Sequence, residues 1–205
     1  MKVLCLVFPR LDAATLLDDE RLVHVRHLMA AGAFGRLDTP PAASAESLAT
    51  GLDPEAPPAW DHFAGSGRTA LRCTPAEAVG LLGGEAVPDL IFAVDDGEGG
   101  GDPVAIDDAI GAALAAISGE TAVVVATPRG AFALAGPEVP PVGEVTGARQ
   151  VDLLPTLLAL AGLEVPRELP GRPIVDPRPD AHDRADAPPE VDPDLLERLR
   201  GLGYI

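Results

Sequence analysis

Short apolar runs, each about as long as a buried strand, alternate along this chain with stretches whose apolar residues recur at helical spacing. Lys2–Phe8 and Thr121–Thr127 are rich in Val, Leu and Ala with no polar alternation, the pattern of strands covered on both faces. Asp89–Val94, Thr69–Cys73, Ala33–Leu37 and Ala131–Leu134 are further strand candidates. Asp12 offers a cap to a helix running to about Ala31, where Gly32 supplies a stop. Shorter helices are expected over Ser44–Thr50, which ends at Gly51, and over Pro75–Leu82, whose proline suits a first helical position. Pro103–Ser118 and Gln150–Ala161, the latter ended by Gly162, complete the set. Strands in alternation with helices predict an α/β fold with a mostly parallel sheet sandwiched between helices. Asp53–Gly67 is rich in Pro and Gly and reads as a loop, pinned by Trp60 and Phe63. The acidic glycine run Asp95–Asp102 reads as a second loop.

At 205 residues the chain suits one domain with a sizeable core and a short tail. The expected domain covers residues 1–165. An extended segment rich in Pro, Asp and Arg follows over 166–193, and a docking helix over 194–205 carries Leu195, Leu199 and Leu202 on one face. The formal net charge is −17, which repels nucleic-acid phosphates and anionic lipid, so neither nucleic acid nor membrane is an expected partner. Lys2 is the sole lysine. Codon bias of a GC-rich genome and the high-salt cytoplasm of a halophile both account for such a composition. Cys5 and Cys73 are too few for a disulfide framework, and the run from Val3 to Phe8 is too short for a signal peptide or a membrane span. A cytoplasmic protein is expected.

Four phrases carry a family likeness. Lys2–Leu11 followed by His27-Leu28-Met29-Ala30-Ala31-Gly32-Ala33 is one, and Ser47-Leu48-Ala49-Thr50-Gly51 with Asp53-Pro54 is another. The third runs from Ala109-Ile110-Gly111 through Ala126, a helix leading into a strand. The fourth, Val151-Asp152-Leu153-Leu154-Pro155-Thr156-Leu157-Leu158 with Leu169-Pro170-Gly171-Arg172, is the most specific, and Leu199–Tyr204 adds a closing phrase. Together they resemble the alkaline-phosphatase superfamily, in particular its type I phosphodiesterase (nucleotide pyrophosphatase) and sulfatase-like branches. The chain is shorter than typical members.

That resemblance implies two divalent metals such as zinc, held by Asp and His, and a Thr, Ser or Cys nucleophile. Residue by residue, this chain departs from the pattern. The nucleophile slot maps to Pro41, the first metal Asp to Pro9, and the later Asp-His pair to Pro128 and Arg129. A further His maps near Pro57. The middle ligand pair leaves Asp95 or Asp96, with Gly99 or Gly100 in the partner position. Thr39 and Ser44 flank Pro41 as surrogate nucleophiles. Asp12, Asp95, Asp96 and the pair Asp61-His62 are the residual metal candidates. His24 and His27 read as part of a half-exposed helix surface, and His182 as solvated.

Arg10 and Arg129 stand apart. If the fold is kept, both emerge at strand C-termini, the edge at which open α/β sheets bind ligands. Two guanidinium groups there can hold a phosphate, sulfate or carboxylate without metal, or they can simply neutralise neighbouring Asp residues. The expectation is a metal-free, catalytically inactive relative with no cofactor, acting as a binding or assembly subunit with a protein partner or as a homo-oligomer. One alternative is a metal-dependent phosphodiesterase, phosphatase or sulfatase with a rearranged site. A second is a metal-independent binder of small anions.

Overall fold

Val3, Cys5 and Val7 point to one face of the first strand, and Leu4 and Leu6 to the other, and all are buried. That strand is therefore central, with a helical layer on each side. The structure, a computed structural model, describes residues 1–51, 55–95, 97, 101–117 and 119–176. The elements are β1 (Lys2–Val7), α1 (Ala13–Asp18), α2 (Val23–Ala31), β2 (Ala33–Asp38), α3 (Ala45–Thr50) and α4 (Ala59–Gly65). There follow β3 (Ala70–Cys73), α5 (Pro75–Leu82), β4 (Leu90–Val94), α6 (Pro103–Ala116), β5 (Thr121–Thr127) and β6 (Ala131–Ala135). Short strands β7 (Gly143–Glu144) and β8 (Ala148–Arg149) lead through a 3-10 turn, Gln150–Asp152, into α7 (Leu153–Leu160).

The strands form one sheet in the order β3-β4-β1-β5-β6-β2-β7, with β8 also on β2. Strand β1 pairs parallel with β4 and β5, with Cys5 opposite Phe92 and Val124. Among the described residues only the two pairings of β6, with β5 and with β2, are antiparallel, so the sheet is mostly parallel as expected. The cause is local: Pro128, Arg129 and Gly130 alone join β5 to β6, and Gly130 sits at φ 99°. A three-residue hairpin with a left-handed glycine can only return antiparallel. Because β2 is antiparallel to β6, its C-terminal end comes back to the same edge as those of β1, β4 and β5.

One face packs against α3, α4 and α7 through Leu48, Phe63, Leu154 and Leu157. The other packs against α1, α2, α5 and α6 through Leu16, Val25, Leu82 and Ile110. Leu169, Ile174 and Val175 join the first cluster, so the chain from residue 166 to 176, which contains no helix or strand, lies on this body. The remainder of the Pro-rich segment and the expected docking helix with Leu195, Leu199 and Leu202 lie outside the described residues. Among the described residues no helix is long and apolar enough to cross a membrane.

Several boundaries match the sequence reading, notably α5, capped by Thr74 with Glu77 reciprocating, and α3, capped by Ser44 and stopped by Gly51 at φ 67°. Two expectations are corrected. The single helix expected from Asp12 to Ala31 is two, because Asp19 turns its carboxylate onto the Arg21 amide at 3.0 Å and breaks the first. The second then receives a cap from a distant residue: Asp107 of α6 accepts from the amides of His24 and Val25, both at 3.1 Å. Its other oxygen meets His24 Nδ1 at 3.0 Å. His24 is thus part of a tertiary cap, while His27 is exposed. The stretch expected to be a loop over Asp53–Gly67 contains α4, whose Ala59 and Phe63 are fully buried and whose Trp60 meets Phe92 edge-on at 5.7 Å. Burial of that face outweighs the poor local propensity. Residues 52–54 before it lie outside the described set, as do 96 and 98–100 of the second expected loop.

Candidate functional site

A cleft of about 790 Å³ opens at the C-terminal edge of the sheet, bounded by Pro9, Arg10, Thr39, Pro41, Ser44, Glu46, Arg72, Asp95, Pro128 and Arg129. Most of the walls follow strand ends, and Ser44 and Glu46 at the start of α3 supply another. Pro9-Arg10 turns away from β1, Thr39–Pro41 leaves β2, Asp95 closes β4, and Pro128-Arg129 forms the β5–β6 hairpin. The loops after β1 and β5 are tied together. The Thr127 hydroxyl donates to the Leu11 carbonyl, and Asp12 and Arg129 extend the parallel pairing by one bridge. Two arginines that are far apart in sequence are thereby held at adjacent strand ends.

Arg10 lies over the turn formed by Asp95 and Gly97. The Asp95 carboxylate accepts the Gly97 amide at 3.0 Å, and a β-carbon at Gly97 would overlap the Arg10 guanidinium. Among the described residues, neither Arg10 nor Arg129 has a carboxylate within ion-pair distance. Asp12, a residual metal candidate, instead caps α1, accepting the Thr15 amide at 2.7 Å. Its carboxyl is held below the usual range, chiefly by bonds from Thr15 and in part by the charge of Arg129.

Arg72 and Glu46 were not singled out from the sequence. Arg72 Nη2 meets Glu46 Oε1 at 2.8 Å, and its Cζ stands 5.8 Å from the centroid of the Trp60 ring, which in turn rests on Phe92. The Glu46 carboxyl is held low first by its own backbone amide and also by Ser44 and Arg72. A signal existed for Arg72. It is the penultimate residue of its strand, so the argument that singled out Arg10 and Arg129 applies to it as well.

The surrogate nucleophiles differ. Ser44 is engaged in a capping box, accepting the Ser47 amide at 3.2 Å and giving its own amide to Ser47 Oγ at 2.7 Å. Ser47 Oγ also receives Gln150 Nε2 at 2.5 Å, and this network locks α3 to the start of α7. Thr39 lines the cleft, beside the proline-occupied slot of Pro41.

Among the described residues, the donors lining the cleft do not suit a pair of divalent metals. The described lining offers three guanidinium groups against the carboxylates of Glu46 and Asp95, and one of these carboxylates is already on Arg72. Among the described residues no three His, Cys, Asp or Glu side chains are grouped to hold a metal. Asp61 and His62 lie on α4 and do not line the cleft. Asp96, Gly99 and Gly100 fall outside the described residues, as does His182.

The 2-O GAG sulfatase BT1596 superimposes with a TM-score of 0.66 at 12% identity, over 84% of this chain and 73% of that one. A candidate sulfatase from Bacteroides thetaiotaomicron VPI-5482 does so with a TM-score of 0.67 at 14% identity and the same coverage. The chain has the alkaline-phosphatase-like fold. A third alkaline-phosphatase-like structure is murine ectonucleotide pyrophosphatase/phosphodiesterase 5, an inactive form in complex with AMP. It matches with a TM-score of 0.52 at 12% identity, over 62% of this chain and 56% of that one. No family model matches the sequence. No curated protein matches it either.

Proposed function

We propose that this alkaline-phosphatase-like chain is a non-hydrolytic binding subunit that holds an oxyanion (phosphate, sulfate or carboxylate) through guanidinium groups and without divalent metal. The observation that carries the reading is that Arg10 and Arg129, neither within ion-pair distance of a carboxylate among the described residues, line one strand-end cleft in a protein of net charge −17. Two such cations in one concavity of so acidic a surface focus positive potential where an anion would dock. Arginine presents planar donors that match oxyanions in pairs, and a cleft at the carboxyl ends of parallel strands is the place where open α/β sheets take ligands.

Two side chains support the non-hydrolytic part of the reading. Pro41 carries no nucleophile, and Ser44 is committed to its cap. A second reading, hydrolysis by a rearranged site, rests on Thr39, whose side chain borders the same cleft. An assembly role with a protein partner or a second copy fits a binding subunit, and the anion would then be carried by that partner or bound beside it.

Calorimetric titration of the full chain with inorganic phosphate and with sulfate, in chelator, tests the proposal. Saturable binding that weakens roughly tenfold in Arg10→Ala and in Arg129→Ala is expected, a loss in keeping with charge-assisted bonds. Absence of binding by either anion, or binding indifferent to both substitutions, overturns it.

A further inference from the structure

Of the three cleft arginines, Arg72 alone has a carboxylate at ion-pair distance among the described residues, and that carboxylate belongs to Glu46. The two side chains come from different layers: Arg72 from the edge strand β3, Glu46 from the first turn of α3. Arg72 also stands over the Trp60 ring, a second contact that helps to keep its guanidinium at this place. The pair is half open to water, with side-chain exposures of 48% and 61%. An ion pair so exposed is weak and can be displaced by a competing anion.

Spacing separates this pair from the other two arginines. Strand β4 lies between β3 and β1, and a further strand step leads to β5. At about 4.8 Å per strand, the Arg72 position is on the order of 10 Å from the Arg10 strand. Arg72 is also level with Cys5 across the sheet, five residues before Arg10, so its subsite is offset from the Arg10–Arg129 one along the strands as well as across them.

Resting on the oxyanion reading above, we infer that Glu46 is a selectivity element of the cleft. Its carboxylate fills the Arg72 subsite as a ligand oxyanion would. A single oxyanion is held at Arg10 and Arg129 and leaves the Glu46–Arg72 pair intact. A ligand with two anionic groups on the order of 10 Å apart gains the third guanidinium by displacing Glu46. The cleft therefore favours two-headed anions over single ones, and Glu46 sets how large the second head's contribution is.

The test uses the full chain at fixed ionic strength with two probes: inorganic phosphate, and a hexose bisphosphate phosphorylated at its first and sixth carbons. The wild type should bind the bisphosphate more tightly than phosphate. Arg72→Ala should weaken the bisphosphate roughly tenfold and leave phosphate unchanged. Glu46→Gln should tighten the bisphosphate about three- to fivefold with phosphate again unchanged, while Glu46→Asp, which keeps the charge, stays nearer the wild type. This split between ligands is what a merely structural role would not produce. If Glu46→Gln does not fold, Arg72→Ala and Arg72→Lys carry the comparison alone. Phosphate binding that depends on Arg10 and Arg129, with a bisphosphate affinity indifferent to Arg72 and Glu46, overturns the selectivity role and leaves the oxyanion reading standing. Equal shifts for both probes also overturn it. Failure of both probes to bind removes the oxyanion reading itself and this inference with it.

Discussion

The Arg10 guanidinium rests against the α-carbon of Gly97, so closely that a β-carbon there would overlap Cζ, Nε and Nη2 of the arginine. Gly97 also sits at φ 93°, a backbone setting that side chains with a β-carbon rarely adopt. The glycine-rich segment after β4 thus makes room for the residue that leaves β1, and the position of the cleft's first cation depends on a side chain that is not there.

Gly97→Ala should push Arg10 from the cleft and weaken phosphate binding about as much as Arg10→Ala, roughly tenfold. Gly101→Ala is the control. Its φ of 75° brings similar backbone strain, but its β-carbon would meet Arg10 at an ordinary 3.6 Å. Titration calorimetry on both variants checks this, and equal losses would assign the effect to strain alone.

The purified chain should carry no stoichiometric zinc, manganese or magnesium, and it should leave aryl phosphates, phosphodiesters and sulfate esters intact. Elemental analysis with about two metals per chain would contradict the first expectation. Turnover that persists through repurification and disappears in Thr39→Ala would contradict the second and identify a relocated nucleophile.

Asp152 should supply part of the acid sensitivity of the fold. Burial pushes its carboxyl up, but bonds from the Arg149 side chain and from the amides of Arg172 and Arg149 outweigh that and hold it below the ordinary value. A carboxyl depressed in the folded state stabilises it above the unfolded value, and that contribution is lost as pH falls through the folded one. Asp152→Asn should therefore lower the melting temperature at neutral pH, by about 1–3 kcal/mol of stability. The difference from the wild type should shrink below pH 3.8 and vanish at still lower pH. Thermal melts of both proteins along a pH series decide it.

Salt should stabilise the chain. With a net charge of −17, the carboxylates repel one another at low ionic strength, and screening relieves that repulsion. A melting temperature rising steadily from millimolar to molar KCl is expected. A flat profile would favour codon bias as the origin of the acidity.

Much of the architecture was legible because it is locally encoded. Strand β5 declares itself by an apolar run buried on both faces, and α5 by Thr74, Pro75 and Glu77 in capping order. The likeness in Val151–Leu158 pointed to the fold that the solved structures share. Pro9-Arg10 and Pro128-Arg129 could be placed at the cleft in advance, since each directly follows a recognisable strand. Other features depend on partners distant in sequence, which local pattern does not name. Helix α4 forms on poor local propensity because Phe63 is fully buried. Helix α2 starts where it does because Asp107, 83 residues after His24, reaches its first amides. Arg72 became a cleft residue only when β3 took the sheet edge beside β4 and α3 brought Glu46 across to it. Periodicity and capping act between near neighbours, so the sequence alone determined most of the strands and helices and which strand ends carry arginine. Which of those arginines meet a carboxylate is a matter of long-range packing, and only the tertiary structure decided it.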